Sequence, residues 1–169
     1  MKKLSLLFSA TLLFIACEKN KIAYVDNSRL INEYQEKVDL EAEYNVKIQK
    51  FSQKADSIGR ILQQEAKEFE NQVKNLSQST AQQKYNEILQ KRQQVSQQFQ
   101  NEENQLTQQS QQQIDSLIKK VKAYVKTYGK ENGYTYILGA NDAGSVLYGE
   151  ESQDITNTIL KKLNDDYKK

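Results

Sequence analysis

The chain has 169 residues, with 24 Lys plus Arg against 22 Asp plus Glu, ten Tyr, one Cys, and no His, Trp or Pro. Without His there is no Ser/His or Cys/His nucleophile pair and no imidazole metal site, and a lone Cys excludes intrachain disulfides and cysteine zinc clusters. The six Gly form no phosphate-cradling run, so no cofactor is expected, and a Pro-free sequence leaves long stretches open to continuous helix.

Residues 1–16, MKKLSLLFSATLLFIA, join two lysines, an apolar run and a small residue directly before Cys17. They read as a signal peptide, shorter than the ~20 apolar residues that span a bilayer. Ala16 followed by Cys17 resembles the lipobox of bacterial lipoproteins, in which the cysteine is acylated and becomes the new N-terminus. Phe14 stands where that motif most often has Leu. Without Lys2 and Lys3 the remaining chain carries 22 basic and 22 acidic residues. That balance removes any general electrostatic reason to bind nucleic acid.

The segment KIAYVD, residues 21–26, predicts a short strand buried on both faces. Asn27 and Ser28 offer side-chain oxygens to cap a helix start, and from Leu30 to Tyr128 the pattern predicts helix and one turn. Tyr44, Ile48, Phe51, Ala55, Ile58 and Leu62, continued by Phe69 and Leu76, form a heptad seam that Glu65 and Gln72 interrupt. A second seam runs through Tyr85, Ile88, Val95, Phe99 and Leu106. It then shifts phase near Ser110 and continues as Ile114, Leu117, Val121, Tyr124 and Tyr128.

Between the seams, NLSQST at 75–80 contains Thr80 and, three residues on, Gln83, a capping-box spacing that places the hairpin tip there. Segments Leu30–Leu76 and Thr80–Tyr128 hold 47 and 49 residues, about 70 Å each at ~1.5 Å per residue. Matched lengths suit an antiparallel hairpin, and helices this long must project from a body built by the chain ends. Gln supplies 18 of the 51 residues from Gln63 to Gln113. This reads as a solvated helix surface, because spaced Ile, Leu, Val and Phe continue through it.

After Tyr128, Gly129 and Gly133 are expected to end the helix, and Tyr134 to Leu138 to form a strand. Asn141 to Gly144 supply a turn, SVLY at 145–148 a third strand closing a hairpin, and Asp154 to Leu163 a last helix with Ile155, Ile159, Leu160 and Leu163 buried. The expected fold is α+β and mainly helical: a small β body carrying a long antiparallel helical hairpin inserted between strands one and two. Its parts are a signal peptide at 1–16, an oligomerisation body at 17–29 and 129–169, and a coiled-coil arm at 30–128 with its tip near 75–80. Body residues Ile22, Tyr24, Val25, Tyr134, Tyr136, Leu138, Val146 and Tyr148 are the candidates for subunit contact, since free strand edges invite pairing.

KIAYVD, the Gln-rich hairpin and the block GYTYILGANDAGSVLYGEESQDITNTILKKLN together resemble the Skp/OmpH family of periplasmic chaperones. The block matches most specifically at Gly133 and Tyr134, at Val146 to Tyr148, and at Asp154, Ile155 and Thr156. The resemblance implies a homotrimer whose three arms enclose a cavity for unfolded outer-membrane proteins, and an ATP-independent holdase with no catalytic or metal site. Phe51, Ile58, Phe69, Val73, Tyr85, Val95 and Phe99 are the candidate client-binding residues. Lys74, Lys84, Lys91 and Arg92, against Glu87 alone, give a basic patch at the tip. No cluster supports carrying over lipopolysaccharide binding.

Cys17 as a lipidation site implies a periplasmic protein tethered to a membrane, and Glu18 in place of the Asp of inner-membrane retention favours the outer membrane. The alternative reading is a structural envelope lipoprotein whose coiled coil acts as a spacer or docking element. An enzyme would have to use carboxylates, for example Glu150, Glu151 and Asp154, but these sit where acids favour a helix start.

Overall fold

The structure is a computed structural model that describes residues 20–141 and 144–168. The signal peptide and Cys17 lie outside the described residues. The elements are β1 (Ile22–Asp26), α1 (Asn27–Asn32), α2 (Gln35–Gln72), a 3₁₀ turn (Val73–Asn75), α3 (Gln78–Glu131), β2 (Tyr136–Ala140), a second 3₁₀ turn (Glu151–Gln153) and α4 (Thr156–Tyr167). This is the mainly helical α+β architecture with a long helical hairpin inserted between the first and second strands. The described residues divide into two compact units, one holding those up to Asn32 and from Val121 onward, the other holding Glu33–Lys120.

In the first unit β1 and β2 pair in parallel, Ile22 beside Tyr136 and Asp26 beside Ala140. The pleat sends Ala23, Val25 and Ile137 to one side, where Ala23 and Val25 are buried together with Val121, Ile155, Ile159 and Leu163. Leu30 of α1 is buried as well.

Ser145–Tyr148 forms no strand, so the sheet has two strands where three were expected. The free edge of β1 is taken by a different segment: Tyr24 bridges Asp154, and the Ile155 N–H donates to the Tyr24 carbonyl at 3.0 Å. Within SVLY only Val146 is half-buried, and Leu147 and Tyr148 are 92% and 85% exposed. Of the expected turn, Asp142 and Ala143 lie outside the described residues, while the Gly144 N–H donates to the Asn141 carbonyl.

Helix boundaries follow local chemistry that differs from the expected caps. Asp26, rather than Asn27 or Ser28, caps α1, its Oδ1 accepting the Arg29 N–H at 3.0 Å. Ser77 caps α3 by accepting the Thr80 N–H, which moves the helix start to Gln78; Gln83 bonds forward to Glu87 and makes no capping box. At its far end α3 runs past Gly129 to Glu131 and closes in a Schellman turn. The Tyr134 N–H donates to the Gly129 carbonyl, the Gly133 N–H to that of Lys130, and Gly133 takes φ 69°. Gly129 lies inside the helix, where its missing Cβ leaves room for Ile137, which a Cβ would meet at 3.1 Å. The second strand consequently starts at Tyr136 and not at Tyr134.

The uninterrupted helix expected from Leu30 is broken at Glu33 and Tyr34. In the second unit, buried Tyr34 donates its hydroxyl to Glu36 Oε2 at 2.5 Å, and Lys120 of α3 donates to the same oxygen. Burial, followed by the bond to Glu36, pushes the Tyr34 phenol up to about 12. Burial also pulls the Glu36 carboxyl upward, but the hydrogen bonds from Lys120 and Tyr34 outweigh it and hold that group below the ordinary carboxylate value.

Amide side chains support the long helices. Gln35 reaches Asp39, Gln64 reaches Glu68, Gln82 reaches Asn86 and Gln111 reaches Asp115, each one turn ahead. Such pairs contribute about 0.2–0.5 kcal/mol each in a helix.

Fully buried Thr156 pins α4 to β1: its Oγ1 accepts the Asp26 N–H at 2.8 Å and donates to Asp154 Oδ1. Thr156→Val keeps the shape but orphans the Asp26 N–H, and urea unfolding should show a loss of about 1–3 kcal/mol. Tyr34→Phe should cost about 1–3 kcal/mol at neutral pH by the same measurement. Because the Tyr34 pKa is raised on folding, its contribution is intact below the unfolded value near 10 and disappears as pH rises toward 12. The variant should therefore show a shallower alkaline loss of stability, whereas the loss tied to Glu36 lies on the acid side, below the ordinary carboxylate value.

Candidate functional site

The arm is built from two helices that run in opposite directions. As numbers rise along α2 they fall along α3: Glu36 faces Lys120, Lys54 faces Glu102 at 2.6 Å, Glu65 faces Lys91, and Phe69 faces Tyr85. Half-buried positions on α2 follow the heptad through Phe51, Ala55, Ile58, Leu62 and Phe69, and Val73 and Leu76 continue it through the 3₁₀ turn. On α3 they include Ile88, Val95, Phe99, Glu102, Leu106, Ser110 and Ile114. The phase shift occurs at Ser110, which holds a seam position, so steps of four replace the 3–4 alternation there.

The candidate client residues fall largely on this seam. Phe51 and Phe99 meet edge to face with centroids 5.6 Å apart, and Phe69 and Tyr85 lie 6.4 Å apart. Ile58, Val73 and Val95 are half-buried, and Tyr85 is 49% exposed. From residue 45 to residue 116 no side chain is buried. Ile48, expected on the seam, is more than half exposed, and Val46, Ile61 and Leu89 are exposed apolar residues that lie off it. The sequence signal for those three is an apolar residue at a position the heptad assigns to solvent.

The tip residues do not form an isolated basic patch. Lys91 pairs with Glu65, and a groove of about 310 Å³ places Lys84 and Lys91 among Glu65, Glu68 and Glu87, with Phe69 and Ile88 as its apolar part. Those α2 carboxylates lie outside the sequence window that gave the positive excess.

In the body, the sheet face opposite the core carries Ile22, Tyr136 and Leu138, all exposed, with Tyr136 at 60%; Tyr24 on that face is half-buried. Val25 is buried inside the unit, while Tyr134 and Val146 are half-buried. Tyr134 stacks on Tyr128 with centroids 6.1 Å apart, and the Lys21 ammonium lies 4.0 Å from the Tyr134 ring centroid. Asp154 Oδ1 is engaged by the Thr156 N–H and hydroxyl at the start of α4, and no cluster of potential metal ligands occurs among the described residues. No helix among them is long and apolar enough to cross a membrane.

The family model described as "Outer membrane protein (OmpH-like)" matches residues 21–163. The chain belongs to the OmpH-like family. Its fold is similar to that of a candidate outer membrane chaperone (OmpH-like) from Caulobacter crescentus CB15, with a TM-score of 0.77 over 89% of this chain and 88% of that one at 12% identity. No curated protein matches the sequence. The OmpH-like match thus spans the strand at each end of the hairpin as well as the hairpin itself.

A double-mutant cycle should separate the two roles of the seam. If Phe51 and Phe99 serve packing, Phe51→Ala and Phe99→Ala show a coupling of about 0.5–1.5 kcal/mol in thermal or urea unfolding.

Proposed function

We propose that this OmpH-like protein is an ATP-independent periplasmic holdase that keeps unfolded outer-membrane proteins soluble between the arms of a homotrimer. The observation that carries the reading is the arm itself, with no buried side chain from residue 45 to residue 116. A seam of half-buried Phe, Ile, Leu and Val holds two helices together and still offers apolar surface to a third chain. Val46, Ile48, Ile61, Tyr85 and Leu89 add single exposed apolar contacts spaced along both helices. Each burial is worth only part of the ~1.5–3 kcal/mol of a fully covered side chain, so many weak contacts hold a client and release it without nucleotide. The outer-membrane chaperone named for the Caulobacter crescentus relative supports the same reading.

The homotrimer would close through the uncovered sheet face at Ile22, Tyr136 and Leu138 and through Leu147 and Tyr148. Exposure of these residues is costly for a lone chain and removed by assembly. Phe51, Ile58, Phe69, Val73, Tyr85, Val95 and Phe99 are the proposed client contacts. Cys17 is the proposed lipid tether, in the outer membrane's periplasmic leaflet.

The test is light scattering of a urea-diluted outer-membrane β-barrel protein with the mature chain carrying Cys17→Ser, its mass measured by sedimentation. Soluble client at about one trimer per client without nucleotide is the expected result. A stable trimer that leaves aggregation unchanged at several-fold excess would replace the holdase with an envelope spacer. Leu147→Asp together with Tyr148→Asp should lower the sedimenting mass toward the monomer and reduce protection with it.

A further inference from the structure

On the core side of β2, opposite the face assigned to assembly, α3 and β2 form a groove of about 390 Å³. It is lined by Lys122, Val125, Lys126, Gly129, Lys130, Tyr134, Thr135 and Ile137. The three lysines recur every fourth residue, so successive turns of α3 stack them along one wall. None of the three side chains makes an ion pair or hydrogen bond among the described residues. Val125 and Ile137 give the groove an apolar floor, and Lys21, donating to the Asn132 carbonyl and lying over Tyr134, adds a fourth cation at its end. Several other cations are paired, Lys37 with Glu41, Lys47 with Glu43, Lys54 with Glu102 and Lys161 with Asp165. This run of lysines is not.

Lys21 directly precedes β1, and Ile22 is five residues after Cys17. Even a fully extended chain limits that distance to roughly 17 Å. A lipid on Cys17 would therefore hold the start of β1 within about that distance of a bilayer surface. We infer that the Lys122, Lys126 and Lys130 groove docks on the headgroups of anionic phospholipids and sets which side of the body lies against the membrane. The inference extends the reading of Cys17 as the tether: the lipid retains the protein, and the lysines orient it. Phosphodiester headgroups supply the missing charge, and their glycerol and upper acyl segments match the apolar floor.

The test uses the mature chain with Cys17→Ser, so that no lipid contributes, in co-sedimentation with vesicles of phosphatidylglycerol and phosphatidylcholine or of phosphatidylcholine alone. Binding is expected to the anionic vesicles only, and to fall with salt. K122Q/K126Q/K130Q should weaken it about a hundred-fold or more, with an unchanged circular dichroism spectrum. The arm triple variant K50Q/K67Q/K74Q, which removes equal charge, should bind as the parent does. Equal binding to neutral vesicles, or a groove variant that binds like the parent, would overturn the inference. So would full competition by millimolar inorganic phosphate, which would mark a small-anion site. Mass spectrometry of the membrane-extracted protein reads the Cys17 lipid separately, so tether and groove fail independently.

Discussion

Two strands separated by more than a hundred residues must meet in parallel before this body exists: Ile22 has to find Tyr136, and Asp26 has to find Ala140. Parallel strands always need a crossover, and here the crossover is the whole arm. Closing so long a loop from an open chain is entropically slow. The hairpin shortens it, since contacts such as Phe69 with Tyr85 are local and each later pair along the two helices costs little more once the earlier one has formed. The Tyr34, Glu36 and Lys120 cluster fastens the last of these pairs. After it, only short stretches remain to be closed before the strands can pair.

The two units solve stability differently. The body has few residues and relies on fully buried groups whose polar atoms are matched: Thr156 against Asp26 and Asp154, the Schellman turn at Gly133, and a small apolar cluster around Ile159 and Leu163. The arm spreads its energy over amide pairs, a few cross-helix ion pairs and a seam that is nowhere sealed between residues 45 and 116. A sealed seam would make a stiffer rod with nothing left to offer. The contrast follows from composition, because Gln and Ser at positions flanking the seam bring hydrogen bonds without the bulk that covers Phe and Ile.

Most of the arm was legible in sequence, since a heptad is a local pattern and matched helix lengths determine how the two halves meet. Its details escaped where tertiary pairing decided them. Glu65 looked like an interruption but holds a seam position because Lys91 lies across from it. Ile48 looked like seam and is exposed. The break at Tyr34 carries no Pro or Gly to announce it, and its cause is a hydroxyl buried against Glu36. SVLY has strand composition, and propensity cannot tell a strand that pairs within the chain from a segment left at the surface. The lysines of α3 carry no local signal of a site, and only β2 folding beside them turns one side of a helix into a groove.

The antiparallel register carries an engineering consequence. Every cross-arm contact links a residue on α2 to one on α3 at nearly the same distance from the turn at Leu76 and Ser77. Removing or adding one heptad on each helix at matching positions would restore all contacts below the edit and leave the strands in place. The arm's reach would change by roughly 10 Å per edit. A change on one helix alone would throw the partner faces out of step. The hairpin is thus a ruler whose length can be reset in paired increments without rewriting the body.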